Sequence, residues 1–330
     1  MSGTIASDTQ LPEPERDVDP APASRRSAPR TRRRGPWFWL TSPALLAYAV
    51  FFLFPTFASF ALSIFGWSGL GRNFPFVGVD NFVELAGSER FRTAIWHNFL
   101  IFCFLFVFQC TVSLALAVLL DHRSRLTHAY RTIVFLPVML SAVATGFIWQ
   151  ILLSPNIGLV NPLLEAIGLE ALTQNWLAST TLALPVTALA TAWQWNGLAV
   201  VLLLAGLQSI PRDLQDAART DGARERQVFR HVTLPHLYPA LTVVTVLLFI
   251  VAFRAFDLIY VIGGPTGAPD GATSVLGTLI YTDAFGIGAS VGGTARMSYA
   301  VAEGVTMFVI VGTVATVLLI VLNRRQRAMR

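Results

Sequence analysis

Six apolar stretches, at about 42–65, 94–120, 132–153, 181–207, 240–262 and 298–322, constrain this 330-residue chain more than any other feature. Each is as long as the ~20 residues that carry a helix across ~30 Å of hydrocarbon. Four contain no Asp, Glu, Lys or Arg; the last two hold Arg254, Asp257 and Glu303 between them. Backbone in lipid must satisfy its own hydrogen bonds, so runs of this kind are read as helices. Charged residues make up only 13% of the chain, where a soluble domain has about a quarter. The chain is therefore expected to be all-α, a polytopic membrane protein with six transmembrane helices over 37–323.

Residues 1–36 are rich in Pro, Ala, Ser and Arg and have almost nothing to bury, so a disordered basic tail is expected there. Arginines beside a membrane span read as an anchor on an anionic leaflet, and no nucleic-acid partner is expected. A cleavable signal peptide does not fit, because the apolar run that follows exceeds a signal core of about 7 to 15 residues. A second short tail lies at 324–330. Nineteen of the 24 arginines fall in the tails and in the second and fourth inter-span segments, against Arg72, Arg90, Arg92 and Arg296 in the other three. Basic residues stay on the cytoplasmic side, which predicts cytoplasmic N- and C-termini. The outer segments, such as "SPNIGLVNPLLEAIGLEALTQNW", are short and Gly, Pro and Asn punctuated. Solute capture outside is therefore expected to belong to a separate protein.

There is no lysine. A P-loop needs one to reach phosphates and a Schiff-base enzyme needs an amine, so neither chemistry is available to this chain alone. Cys103 and Cys110, seven positions apart in one run, would lie ~10 Å apart on a helix. That is beyond the reach of a disulfide, and both are read as packing residues. His122, His128, His231 and His236 have no cysteine or carboxylate cluster to complete a metal site. No nucleophile–base arrangement emerges either, so the chain is read as a non-enzyme without a cofactor of its own.

Between the fourth and fifth runs lies a charged loop, 209–238, containing "DAARTDGARERQVFRHVTLP". Pro211 suits a helix start, and Asp213 and Asp216 suit its N-terminal end. Asp221-Gly222 offers a stop, because glycine takes the positive φ at which helices end. A second short helix is predicted over about Ala223–His231, with Pro235 forcing a bend before the next span. Val228, Phe229 and Val232, expected to be exposed among arginines, mix apolar anchors with charge as an interface does.

This segment resembles the EAA loop of the membrane subunits of binding-protein-dependent ABC importers. Ala217, Ala218, Asp221, Gly222, Ala223, Phe229, Leu234, Pro235 and Pro239 match the pattern; Asp216 stands for the usual Glu and Val232 for the usual Ile. "FLPVMLSAVATGFIWQILLSPNIGLVN" (135–161), "FDLIYVIGGP" (256–265) and "LIYTDAFG" (279–286) are similar to the sugar-transporter permease subfamily. The resemblance implies the type I permease fold of ABC importers and a location in the bacterial cytoplasmic membrane. It also implies a coupling helix seated on a cytoplasmic ABC ATPase dimer, with ATP and Mg on that partner. A second, unlike permease subunit and an extracytoplasmic solute-binding protein complete the implied assembly.

Ionisable residues inside spans are costly and mark functional sites. Arg254 and Asp257 are spaced to share one helix face and neutralise each other, while Glu303 is the more individual feature. A sugar site pairs hydrogen-bonding groups with aromatic faces. Its candidates here are Asn98, Gln109, Trp149, Gln150, Trp193, Trp195, Asn196, Tyr260 and Glu303, with "WQWN" at 193–196 the densest cluster. The preferred reading is a permease subunit of an ABC importer for a sugar or related polyol. The rivals are a gradient-driven transporter using Asp257 and Glu303, and a non-transporting membrane scaffold.

Overall fold

A computed structural model describes residues 37–121, 127–288 and 294–328. The N-terminal tail as drawn from sequence lies outside these residues, as does His122, whereas 324–328 of the second tail continue the last helix. In chain order the helices are α1 (Trp37–Tyr48), α2 (Phe54–Leu62), α3 (Asp80–Gly87), α4 (Glu89–Phe108), α5 (Leu114–Asp121), α6 (Thr127–Met139), α7 (Ala142–Leu152) and α8 (Val160–Ala166). They continue as α9 (Ala183–Gln208), α10 (Arg212–Thr220), α11 (Glu225–Val228), α12 (Leu234–Phe253), α13 (Asp257–Gly263), α14 (Leu276–Phe285) and α15 (Met297–Ala328). The chain forms two compact units, Met1–Leu53 and Phe54–Arg330. Within the first, Tyr48 stacks on Phe52 at 5.0 Å. The core and every site described below belong to the second.

Five continuous helical runs are long and apolar enough to cross a membrane: Thr41–Leu62, Glu89–Asp121, Ala183–Gln208, Glu225–Phe253 and Met297–Leu322. The third expected span is instead a broken pair, Ala129–Met139 and Ala142–Leu152, bent by 98°. Ser141 explains the restart. It holds an extended backbone, and its hydroxyl accepts from the Ala144 amide at 3.1 Å as an N-cap.

α9 is the central helix, packing on α4, α5, α6 and α12. In its most apolar window 56% of residues are buried, against 11% for the last run, so α9 forms core while the last run leaves most of its apolar surface exposed. Its small residues allow this: Ala188, Ala190, Ala192 and Ala199 are all buried. At Gly197 an added Cβ would lie 2.7 Å from the Val134 carbonyl oxygen of α6, so only glycine permits that approach.

Without water, polar side chains tie the helices together. Asn98 of α4 donates to the Ala252 carbonyl of α12 at 2.7 Å and accepts from the Leu276 amide of α14 at 2.9 Å. Gln109 donates to the Ala192 carbonyl at 3.1 Å, and the Ser113 hydroxyl lies between Gln109 and Asn196. Cys103 and Cys110 are free thiols, both half-buried.

The fifth run departs from expectation at both ends. It ends at Phe253, where Arg254 caps α12, and the chain restarts at Asp257 as α13. Arg254 and Asp257 therefore share no helix face, and no salt bridge joins them. At its start, the predicted bend before Pro235 is absent, and helix runs unbroken from Glu225. A π-helical turn over Phe229–Thr233 accommodates the proline, with the Leu234 amide reaching back five residues to the Phe229 carbonyl.

Candidate functional site

Two places concentrate the residues singled out by sequence: the 209–238 loop and a cavity among broken helices. In the loop, α10 starts at Arg212, one residue after Pro211, with Asp213 in its first turn. It ends in a Schellman arrangement, the Ala223 amide bonding the Ala218 carbonyl and the Gly222 amide the Arg219 carbonyl, both at 3.0 Å. Gly222 sits at φ +84° with open space around it. Asp216, Ala217, Asp221 and Gly222 are exposed, and Ala218, Ala223, Phe229, Leu234 and Pro235 are half-buried. Val228 is not exposed as expected; it is 2% accessible, pinning α11 to the body, and Val232 is half-buried. The apolar part of the loop surface comes from α10 itself, where Leu214 is 42% exposed beside Ala217.

Asp216, a methylene shorter than the residue usual in this motif, finds its partner inside the loop. Arg219 bonds it at 2.9 Å and also holds Glu225, through Nε at 2.8 Å and Nη2 at 3.2 Å. These bonds, Glu225 foremost, hold the Arg219 guanidinium above its usual pKa range.

The cavity, about 350 Å³, opens where the helices break. Val138, Leu140 and Ala142 come from the bend between α6 and α7, and Thr191, Gln194 and Trp195 from α9. Val251 of α12 and Arg254, Phe256 and Asp257 around the second break complete the wall. Gln194 donates to the Leu140 carbonyl at 3.1 Å, satisfying a backbone group at the bend. Arg254 and Asp257 are both exposed to the cavity, offering donors and an acceptor, and Trp195 and Phe256 offer ring surface. Behind Phe256, Tyr260 and Tyr281 pack at 5.3 and 5.6 Å.

The candidates thus separate. Trp195 and Asp257 line the cavity, and Tyr260 backs it through Phe256. Trp193 points elsewhere on α9 and meets Trp149 edge-on at 6.1 Å. Asn196 meets the Ser113 hydroxyl at 2.6 Å. Gln150 donates to the Val261 carbonyl at 2.6 Å, linking α7 to α13. Asn98 is fully enclosed by its two backbone bonds. Glu303 is 1% accessible beside Asp283 of α14, its Oε2 without a hydrogen-bond partner among the described residues. Asp283 in turn meets Arg90 at 3.4 Å. Gln194 and Thr191 were missed from sequence, although the helical spacing of Thr191 and Trp195 already places them on one face. Among the described residues no group of three or more His, Cys, Asp or Glu is placed to hold a metal.

Membrane-length helices around a polar cavity, joined by an exposed helical loop, define a multi-pass membrane permease. Residues 109–328 match the family described as "Binding-protein-dependent transport system inner membrane component", and the chain belongs to that family. It is 34% identical over 252 residues to the probable ABC transporter permease protein YurN of Bacillus subtilis, spanning 76% of this chain and 85% of that protein. The multiple sugar-binding transport system permease protein MsmF of Streptococcus mutans is 30% identical over 279 residues, 84% of this chain and 92% of that one. A solved bacterial ABC transporter involved in import of the acidic polysaccharide alginate aligns at TM-score 0.69 and 25% identity, over 89% of this chain and 96% of its own. Membership in an importer family takes the place of the gradient-driven and scaffold readings.

Proposed function

We propose that this chain is one of two unlike permease subunits of an ATP-driven importer for a sugar or related polyol. ATP and Mg are bound by a separate cytoplasmic ATPase dimer, and an extracytoplasmic binding protein delivers the solute. Both termini and the 209–238 loop lie in the cytoplasm on this reading. The observation that carries it is α10: a short, exposed, amphipathic helix stopped at Gly222 and presenting Leu214 and Ala217 beside charge. That surface is of the kind a partner groove receives. The sugar class follows from the names of the relatives together with the cavity, which sets Trp195 and Phe256 beside Arg254, Asp257 and Gln194. Ring C–H faces and hydroxyl edges call for that combination. Closure of the ATPase dimer moves the loop, and the helices that meet at the cavity change tilt to open the solute path inward.

The test is Gly222→Val in the intact complex. A β-branched residue at φ +84° costs roughly 1–2 kcal/mol locally and reshapes the end of α10. The chain should insert normally yet lose co-purification with the ATPase or lose ATP-dependent uptake. Retention and uptake equal to those of the unchanged chain would overturn the coupling role.

A further inference from the structure

Within the loop, one side chain spans the turn between two helices. Gly222 alone would make a pivot there: its φ is +84°, nothing lies within 4 Å of where a Cβ would stand, and only Asp221 to Arg224 separate α10 from α11. A push on α10 would then be absorbed by rotation about the turn. Arg219 opposes that rotation. Its guanidinium is held to Asp216 on its own helix at 2.9 Å and, by two nitrogens, to both carboxylate oxygens of Glu225 across the turn. A two-point guanidinium–carboxylate bond fixes direction as well as distance.

Glu225 is the first residue of the unbroken helical run Glu225–Phe253, about 43 Å at 1.5 Å per residue. The far end of that run supplies Val251 and, one residue beyond it, Arg254 to the cavity wall. A single rod therefore connects the loop to the cavity; α10 packs on α11 and on the π turn, and Arg219 adds the side-chain tie across the turn between them. Arg219 and Glu225 are 42% and 77% exposed, so their pairing contributes little to folding; what it sets is an angle.

We propose that Arg219 is a positioning residue that makes α10 and the Glu225–Phe253 helix one lever, so that movement of the loop reaches the cavity. This rests on the reading of α10 as the ATPase contact. It concerns a strut, the bond that α10 makes across the turn to Glu225, and the ATPase-retention readout distinguishes it from α10's own contacts.

The experiment uses the reconstituted full complex, comparing Arg219→Ala, Glu225→Ala, the double variant and Arg219→Lys. Three quantities are read: ATPase retained, ATP hydrolysed, and solute taken up per ATP. Either alanine variant should keep the ATPase and its hydrolysis but lose about fivefold or more in uptake per ATP, the scale of a coupling free energy between sites. The double variant should be no worse than Arg219→Ala, because that change already removes the contact that Glu225→Ala breaks. Arg219→Lys should recover part of the loss, keeping a charge that reaches one carboxylate oxygen. Unchanged uptake per ATP would overturn the strut. So would additive losses in the double variant, loss that merely tracks ATPase retention, or Arg219→Lys as poor as Arg219→Ala. A starting complex that binds no ATPase and shows no ATP-dependent uptake would instead remove the functional reading, and the strut with it.

Discussion

The loop and the cavity stand at the two ends of one helix, yet they are built in opposite ways. The loop is contiguous in sequence, exposed, and held by charge and by a glycine that needs a positive φ. The cavity is assembled from five separate elements and held by close packing and by backbone groups that side chains satisfy. Gly222 and Gly197 show the contrast within one residue type. At Gly222 there is space but a strained backbone; at Gly197 the backbone is ordinary helix but there is no space. The loop can thus vary its side chains while keeping its turn, whereas the cavity wall depends on how closely α6 and α9 approach.

That contrast breaks first if Gly197→Val is tolerated. The substitution drives a side chain into the Val134 carbonyl and the Phe135 backbone, and overpacking of this kind costs about 1–3 kcal/mol or more. The expected result is a lower thermal midpoint and loss of monodisperse protein in detergent, where Gly222→Val, strained only at an exposed turn, lowers the midpoint less and keeps the protein monodisperse. Next in size is Trp195→Ala, which removes ring surface from the cavity without touching the loop. It should raise the solute concentration for half-maximal uptake about tenfold, the scale of losing ~1.4 kcal/mol of contact, with ATPase retention unaltered. Equal half-saturation would place the solute elsewhere.

The smallest effect concerns an ion pair far along the sequence from the loop. Arg296, lying over the Tyr299 ring at 4.0 Å, bonds both oxygens of Glu84 at 2.7 and 2.5 Å. The hydrogen bond from Arg296 holds the Glu84 carboxyl below its usual range, against a weaker upward pull from burial. A carboxylate depressed in the folded state stabilises it above the unfolded value, near pH ~4.3, and that stability is lost as pH falls through the depressed value. Arg296→Gln should therefore lower the midpoint slightly at neutral pH. The gap to the unchanged chain should close in acid, a trend that a difference constant with pH would contradict.

What sequence could convey follows the same division. The loop was legible because its signals are local: Pro211 before α10, Asp213 in its first turn, Gly222 at its end. Six apolar runs were also legible, being a matter of composition. The break after Phe253 was not, because "VAFRAFDLIYVI" contains neither Pro nor Gly, and Arg254 and Asp257, at helical spacing, read as a pair on one continuous helix face. Nor was the helical continuity across Pro235, since a π turn has no distinctive composition. The "WQWN" cluster divides for a geometric reason: neighbours on a helix diverge by about 100°, so Trp193 and Asn196 turn to protein partners while Trp195 reaches the cavity. The backbone bonds of Asn98 join α4 to residues more than 150 positions away, which no local pattern encodes.

The five-residue turn at Phe229–Thr233 also fixes the azimuth of the loop. A π turn holds one residue more than the α turn it replaces. Rewinding those same residues as ordinary α-helix, with none deleted, would rotate everything on its N-terminal side by about 100° relative to the membrane portion. The helix would remain intact and its apolar stripe in place, while α10 faced a different compass bearing. The direction in which this permease presents itself to a partner is thus written in the count of residues in one turn.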